Sequence, residues 1–309
     1  SYMPWDEPDK TGQETGATDL DKLFPIPDLT EKEVFTGVDL RYASGYDNQT
    51  RKISCRDQWI QTRDNYFLIG EFRWTAFDYL GESWGWPART NNYGVIDMAD
   101  FPKDHYYLYQ SFWSGKPMVH LLPHWTHPGK EGVEIPVVVY TNGNEAELLL
   151  DGKSLGRKPM DPDVLQIVWL VPYKAGTLTA VAYENGRETA RKSVSTASAP
   201  AAVKLTSDRR EVRANRRDVI YLTADIVDAK GTLVPQAGNL VEFDITGPYK
   251  LLGIENGDIL DLNKAKSTSG KAFMGKTRLV LQSTGTSGAI AVTAKSAGLK
   301  PDRQTITSR

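Results

Sequence analysis

IGEFRWTAFDYLGESWGWPARTNNYGVIDMADFPKDHYYLYQSFW, residues 69 to 113, decides how this chain is read. Taken back to Phe67, its opening FLIGEFRW (Phe67 to Trp74) is short and mostly apolar, the pattern of a buried strand. The stretch from Asp78 to Asp97 is rich in Gly, Asn and Trp and reads as a long loop. Pro102 then opens a helix through Lys103 to about Trp113, with Asp104 in the first turn, where a carboxylate suits the positive end of the helix dipole. Upstream, Ser54 is a suitable N-cap for a helix through Trp59 to about Asp64. Helix, buried strand, loop, helix is an α/β unit. In (β/α)8 barrels the sites lie in loops at the C-terminal ends of strands, so the loop after Trp74 is where a site is expected. Residues 1 to 50, rich in Pro, Gly, Asp and Thr without a sustained period, read as long loop.

From Pro117 the pattern changes to short β-forming runs. VEIPVVVY (Val133 to Tyr140), EAELLL (Glu145 to Leu150) and TLTAVAY (Thr177 to Tyr183) are strands, the last continuing through Asn185-Gly186 into RETARKSV. Asn-Gly accepts the positive φ of a type I′ turn, so a hairpin is expected there, and Asp151-Gly152 marks a second tight turn. STASAPAA (Ser195 to Ala202) is a small-residue linker. VIYLTADIVD, LVEFDIT, TRLVLQ and AIAVTAK follow, punctuated by Asn256-Gly257-Asp258. Two β-sandwiches are expected, over residues 117–197 and 198–309.

Composition excludes several classes. The 309 residues carry a net charge of −2, which favours neither nucleic acid nor an anionic membrane as partner. No apolar run reaches the roughly 20 residues that span a bilayer. The one cysteine, Cys55, forms no internal disulfide and reads as a buried inert thiol. The chain opens on the polar SYMPWDEPDK without Met, which reads as a fragment or processed product lacking a signal peptide. Seven of the eight Trp precede residue 126, whereas residues 197 to 309 hold only Tyr221, Phe243, Tyr249 and Phe273 as aromatics. The shift marks different architectures along one chain.

The segment from Gly70 to Trp113 resembles glycoside hydrolase family 2, in particular its β-galactosidase-like members from Bacteroidetes. The matching positions include Gly70, Phe72, Trp74-Thr75, Phe77 to Glu82, Trp86-Pro87, Arg89, Tyr93-Gly94, Ile96-Asp97, Phe101 to Asp104, Tyr106 to Ser111 and Trp113. The resemblance continues through PMVHLLPHW (Pro117 to Trp125), VYTNGNEAELLLDGKSLG and GIENGDILDL, so it covers nearly the whole chain. It implies a fold made of the C-terminal part of a (β/α)8 TIM barrel (residues 1–116) followed by two immunoglobulin-like β-sandwich domains (117–197 and 198–309). It also implies a retaining exo-glycosidase acting on an oligo- or polysaccharide, and a periplasmic or secreted setting.

Retaining glycosidases use two carboxyl groups about 5–5.5 Å apart. In the family both are Glu, and neither motif is present, so no residue of this chain is expected to be catalytic. Asn144-Glu145 falls at a sandwich turn, and Glu14 lies in a polar loop that matches no nucleophile motif. Substrate-binding candidates are Trp74, as floor of the sugar subsite, Asp78 and Glu82, as shapers of the pocket, and Trp84 and Trp86, reaching toward the aglycone. An indole face can cover the C–H patch of a pyranose. The plainer alternatives are core packing for Trp74 and loop packing for the others. Glu71 reads as a paired structural carboxylate. Asn91-Asn92-Tyr93 has Tyr where family glucuronidases carry a Lys that grips the uronate, which favours a neutral sugar. Arg73, Ser83 and Thr90 also depart from the family pattern. His120, His124 and His127 read as ordinary strand and loop histidines, and no metal or other cofactor is expected. Partners implied are the N-terminal part of the same enzyme and a second copy in a homodimer. The non-catalytic alternative is a carbohydrate-binding or structural β-sandwich module, and for residues 198–309 a spacer is favoured because aromatics are scarce.

Overall fold

The computed structural model describes residues 55–82, 88–90 and 94–309. The chain divides into two compact units. Among the described residues, the first comprises 55–82, 90, 94–97 and 102–196, and the second 88–89, 98–101 and 197–309.

Among its described residues the first unit starts with helix α1 (Cys55–Asp64), and α2 (Asp104–Trp113) follows. The helix expected at Pro102 begins two residues later. Lys103 occupies the N-cap position with extended backbone, and Asp104 takes the first helical turn. Ser54, the expected cap of α1, lies outside the described residues.

Seven strands follow: β1 (Val119–Leu122), β2 (Glu134–Thr141), β3 (Glu145–Leu150), β4 (Lys153–Pro159), β5 (Ile167–Pro172), β6 (Thr177–Glu184) and β7 (Arg187–Ser195). They form a three-stranded sheet, β1-β2-β5, and a four-stranded sheet, β4-β3-β6-β7. Both tight turns follow the local chemistry. Asn185 and Gly186 have φ of 51° and 80°, and Asp151 and Gly152 have φ of 50° and 80°.

Strand β2 is buried along nearly its whole length, where alternation would leave one face wet. The reason is a cover on each side. Ile135, Val137, Val138, Val139 and Tyr140 share one core with Leu148 and Leu178 of the other sheet and with Leu108 and Tyr109 of α2. Cys55 lies fully buried in the same core. Burial of each such aliphatic side chain contributes about 1.5–3 kcal/mol. Helix α1 is tied to the loop before β5, with Arg56 donating to the Val164 carbonyl at 2.7 Å and Arg63 to Asp163 at 2.8 Å. Trp59 stacks on Phe112, ring centres 5.6 Å apart, and so joins the two helices.

The strand expected over Phe67 to Trp74 does not form. Residues 67 to 73 carry no strand pairing, and Phe67, Ile69 and Phe72 are exposed. A strand needs a neighbour to satisfy its backbone N–H and C=O groups. Among the described residues none runs beside this one. A (β/α)8 barrel is therefore not what the described residues of this chain display.

The second unit is a sandwich of β8 (Ala202–Ser207), β9 (Glu211–Val212), β10 (Val219–Val227), β11 (Leu240–Thr246), β12 (Tyr249–Glu255), β13 (Ser269–Lys271), β14 (Lys276–Ser283), β15 (Gly288–Lys295) and β16 (Asp302–Ser308). Its sheets run β12-β14-β10-β8 and β13-β11-β15-β16-β9. The alternation read in VIYLTADIVD places Ile220, Leu222, Ala224 and Ile226 in a core with Leu279, Leu281, Val292 and Ile306. Asp228 closes the linker, accepting from the Ser198, Lys230 and Thr232 backbone N–H groups at 2.9 Å each.

Candidate functional site

The stretch after residues 67–73 is held by a short ladder. Val95 N–H donates to the Thr75 carbonyl at 3.2 Å, Ile96 to Ala76 at 3.0 Å, and Asp78 to Ile96 at 2.9 Å. Lys103 N–H donates back to Val95 at 2.9 Å, which ties the start of α2 to the same ladder. Gly94 is required by the closeness of these segments, because a Cβ there would lie 2.1 Å from the Asp78 nitrogen and 2.3 Å from the Phe77 carbonyl carbon.

Trp74 stands at the open end, 67% exposed, and its peptide bond to Thr75 is cis. Its indole Nε1–H donates to the Tyr79 hydroxyl at 3.1 Å, and the two rings meet edge to face. The Tyr79 hydroxyl in turn donates to the Glu82 carboxylate. Trp74, Tyr79 and Glu82 thus form a hydrogen-bonded chain that fixes the indole plane while leaving much of it in solvent. Glu82 joins it from a backbone with φ of 46°.

Asp78 sits elsewhere. Its side chain is fully buried, with Lys103 Nζ 3.0 Å from Oδ1 and 2.8 Å from Oδ2, and it accepts from Gly94 N–H at 2.7 Å. Its carboxylate faces protein rather than an open pocket, so its action on a site runs through the backbone it holds. Trp84 and Trp86 lie outside the described residues, as does the Asn91-Asn92-Tyr93 stretch. A cavity of about 880 Å³ runs along the same segment, lined by Glu71, Phe72, Arg73, Thr75, Tyr109 and Trp113 among others. Trp74, Asp78 and Glu82 are not in its lining. Glu71 accepts from Thr62 at 3.2 Å.

The histidines are engaged with protein groups. His120 Nε2 lies 2.7 Å from Asp104, and its ring stacks on Tyr107 at 3.9 Å. His127 Nε2 lies 2.7 Å from the His124 carbonyl, and the His124 Nδ1 accepts from Thr126 N–H at 3.3 Å. Burial lowers the pKa of all three, His127 to about 4. Among the described residues no cluster of His, Cys, Asp and Glu could hold a metal ion. Glu145 pairs with Arg157 on the sandwich surface, and Glu14 lies outside the described residues. Tyr79 and Lys103 were not singled out from sequence, although both fall in the matched block. The signal available was a hydroxyl five residues after the candidate Trp, and a Lys before a helix whose partner could not be read from spacing.

Residues 203–305 match the family described as glycoside hydrolase family 2 C-terminal domain 5, and residues 132–190 match a domain family of unknown function (DUF4982). The beta-galactosidase BoGH2A of Bacteroides ovatus is 39% identical over 292 residues, which is 91% of this chain and 33% of that protein. This chain belongs to glycoside hydrolase family 2, in its C-terminal portion. A Formosa agariphila protein, named provisionally as a beta-glucuronidase, is 42% identical over 85% of this chain and 27% of its own length. The crystal structure of a beta-glycosidase from Bacteroides vulgatus superposes with a TM-score of 0.84 at 39% identity, covering 99% of this chain and 39% of that one. The chain spans about a third of the length of these family 2 relatives. No helix among the described residues is long and apolar enough to cross a membrane.

Proposed function

We propose that this chain is part of a retaining exo-glycoside hydrolase of the β-galactosidase type, acting on terminal neutral β-glycosides, and that it supplies one wall of the sugar pocket rather than the carboxylate pair. The observation that carries this is Trp74, exposed yet held in one orientation through Tyr79 and Glu82. A fixed indole face covers the C–H side of a pyranose without paying for ring ordering at binding. Asp78 supports the same segment from beneath through Lys103 and Gly94, and Trp84 and Trp86 extend the wall toward the aglycone. In this layout residues 1–116 are the last part of a (β/α)8 barrel, and 117–197 and 198–309 are immunoglobulin-like sandwiches. The exposed apolar run at Phe67, Ile69 and Phe72 supports it, because such a surface needs a cover, and the N-terminal part of the same enzyme would provide one. The enzyme acts in the periplasm or outside the cell. The relatives' names include both galactosidase and glucuronidase, and Tyr93 at the uronate-clamp position favours the neutral sugar.

Assays on nitrophenyl β-galactoside and β-glucuronide test this. The full-length protein is expected to cleave the galactoside with retention, and the 309-residue chain alone to cleave neither. Robust turnover by the chain alone, abolished by one internal Glu→Gln change, would sink the proposal.

A further inference from the structure

The chain carries three Asn-Gly pairs, Asn142-Gly143, Asn185-Gly186 and Asn256-Gly257. In such a pair the backbone nitrogen of the Gly can attack the Asn side-chain carbonyl carbon, and a glycine, lacking Cβ, leaves that nitrogen unhindered. Ring closure needs a free N–H as nucleophile, a free side-chain amide to leave, and room for the backbone to rotate. The fold treats the three pairs differently on each count.

Two pairs are locked. Asn142 Nδ2 donates to the Ser114 and Lys116 carbonyls at 2.8 and 2.7 Å, and its Oδ1 accepts from Met118 N–H at 2.9 Å. The attacking nitrogen is occupied as well, because Gly143 N–H donates to Thr141 Oγ1 at 3.0 Å. Gly143 is packed so closely that a Cβ there would lie 2.5 Å from the Tyr183 carbonyl oxygen. Asn256 is buried, with Nδ2 donating to Asp261 at 2.8 Å and to the Lys271 carbonyl at 3.0 Å, and Oδ1 accepting from Asp258 N–H at 2.9 Å. Gly257 N–H donates to the Glu255 carboxylate at 3.2 Å.

Asn185-Gly186 is the opposite case. Both residues are exposed at the tip of the β6–β7 hairpin, and a Cβ on Gly186 would meet nothing within 4 Å. Among the described residues no acceptor meets Asn185 Nδ2 or the Gly186 N–H. Asn185 Oδ1 accepts from Asn144 Nδ2 at 3.3 Å, which draws electrons from the carbon under attack. A hairpin tip also opens at lower free energy than the strands it joins.

We propose that Asn185 is a site of spontaneous deamidation, with water as the co-reactant. The Gly186 nitrogen gives up its proton to base and bonds to Asn185 Cγ. The Cγ–Nδ2 bond breaks, and the amide nitrogen leaves as ammonia. Water then opens the cyclic imide to aspartate or isoaspartate at position 185. Either product puts a new carboxylate beside Glu184, and isoaspartate adds a backbone atom to a turn whose φ values of 51° and 80° suit two residues. The reaction is therefore a slow timer on the β6–β7 hairpin. It stands apart from the glycosidase proposal.

The full-length protein, held folded in mildly alkaline buffer and then digested, is mapped by mass spectrometry. The peptide containing Asn185 is expected to gain about 1 Da, the exchange of an amide for a carboxyl group. It is expected to do so at least about tenfold faster than the peptides containing Asn142 and Asn256. In denaturant the three rates are expected to converge to within about threefold, because the fold sets their order. Asn185→Gln is expected to abolish the gain there, since its longer side chain must close a larger ring, and to leave the other two peptides unchanged. Conversion at Asn142 or Asn256 as fast as at Asn185 in the folded protein overturns the proposal, and so does an unmodified Asn185. A tenfold lead at Asn185 that persists in denaturant also overturns it, because the neighbouring residues rather than the hairpin would then set the order.

Discussion

Lys103 and Asp78 form an ion pair buried from solvent, 1% and 0% exposed, at the point where the ladder from Thr75 to Asp78 meets the start of α2. Two charges taken from water are costly, and their mutual attraction offsets that only when both are present and hydrogen-bonded. Lys103→Met leaves a buried carboxylate that keeps the Gly94 N–H but loses its cation, and is expected to cost about 3–5 kcal/mol. The pair Lys103→Met with Asp78→Asn is expected to recover part of that loss. Denaturant unfolding of the three proteins checks the ordering. Gly94→Ala places a methyl 2.1 Å from backbone and is expected to be at least as harmful.

Trp74→Ala in the full-length protein is expected to lower kcat/KM by about thirtyfold, corresponding to about 2 kcal/mol of lost ring contact, with little change in Tm because the ring is largely exposed. Tyr79→Phe removes the group that fixes the indole and is expected to raise KM more than it lowers kcat. Steady-state kinetics beside thermal melts separate these effects from simple unfolding.

Acid acts on the two units in different pH windows. His127 is buried with a pKa lowered from 6.5 to about 4. Above pH 6.5 it is neutral both folded and unfolded and adds nothing to the pH dependence. As pH falls from 6.5 toward 4 the unfolded chain takes up a proton that the fold refuses, so stability falls, by about 3 kcal/mol once both values are passed. His120 and His124 shift in the same direction for the same reason. Melting curves from pH 7.5 to 4 are expected to show the first sandwich weakening, and His127→Gln to flatten that slope. An unchanged slope in His127→Gln would refute this assignment.

Asp228 sets the second window. Backbone N–H groups stabilise its charged form and lower its pKa from 3.8 to about 2, so the stability it gives is present above 3.8 and is lost as pH falls toward 2. Asp228→Ala leaves the Ser198, Lys230 and Thr232 N–H groups without this acceptor and is expected to cost about 1–3 kcal/mol, read as a lower denaturation midpoint of the C-terminal sandwich.

Much of the β architecture was legible because its causes are local. Asn185-Gly186 and Asp151-Gly152 take positive φ whatever surrounds them, and the alternation in VIYLTADIVD needs only one buried face. Where a second influence entered, the sequence pattern misled. FLIGEFRW has the composition of a strand, yet among the described residues no strand runs beside it. Strand β4 carries KSLGRKP, which is exposed throughout and shows no apolar signal; it forms because β3 offers it an edge.

The candidate site divides the same way. Sequence alone determined the family, the positions of Trp74, Asp78 and Glu82 along one segment, and the absence of either family catalytic-Glu motif from these residues. It placed Asp78 beside Trp74 as though both faced one pocket. Only the tertiary structure decided that Asp78 turns inward to Lys103, 25 positions away, and that Arg89 is held by Glu255, 166 positions away. Neither pairing has a local signal. A charged side chain chooses its partner by where the backbone brings an opposite charge out of water, and that is a property of the folded chain rather than of the spacing along it.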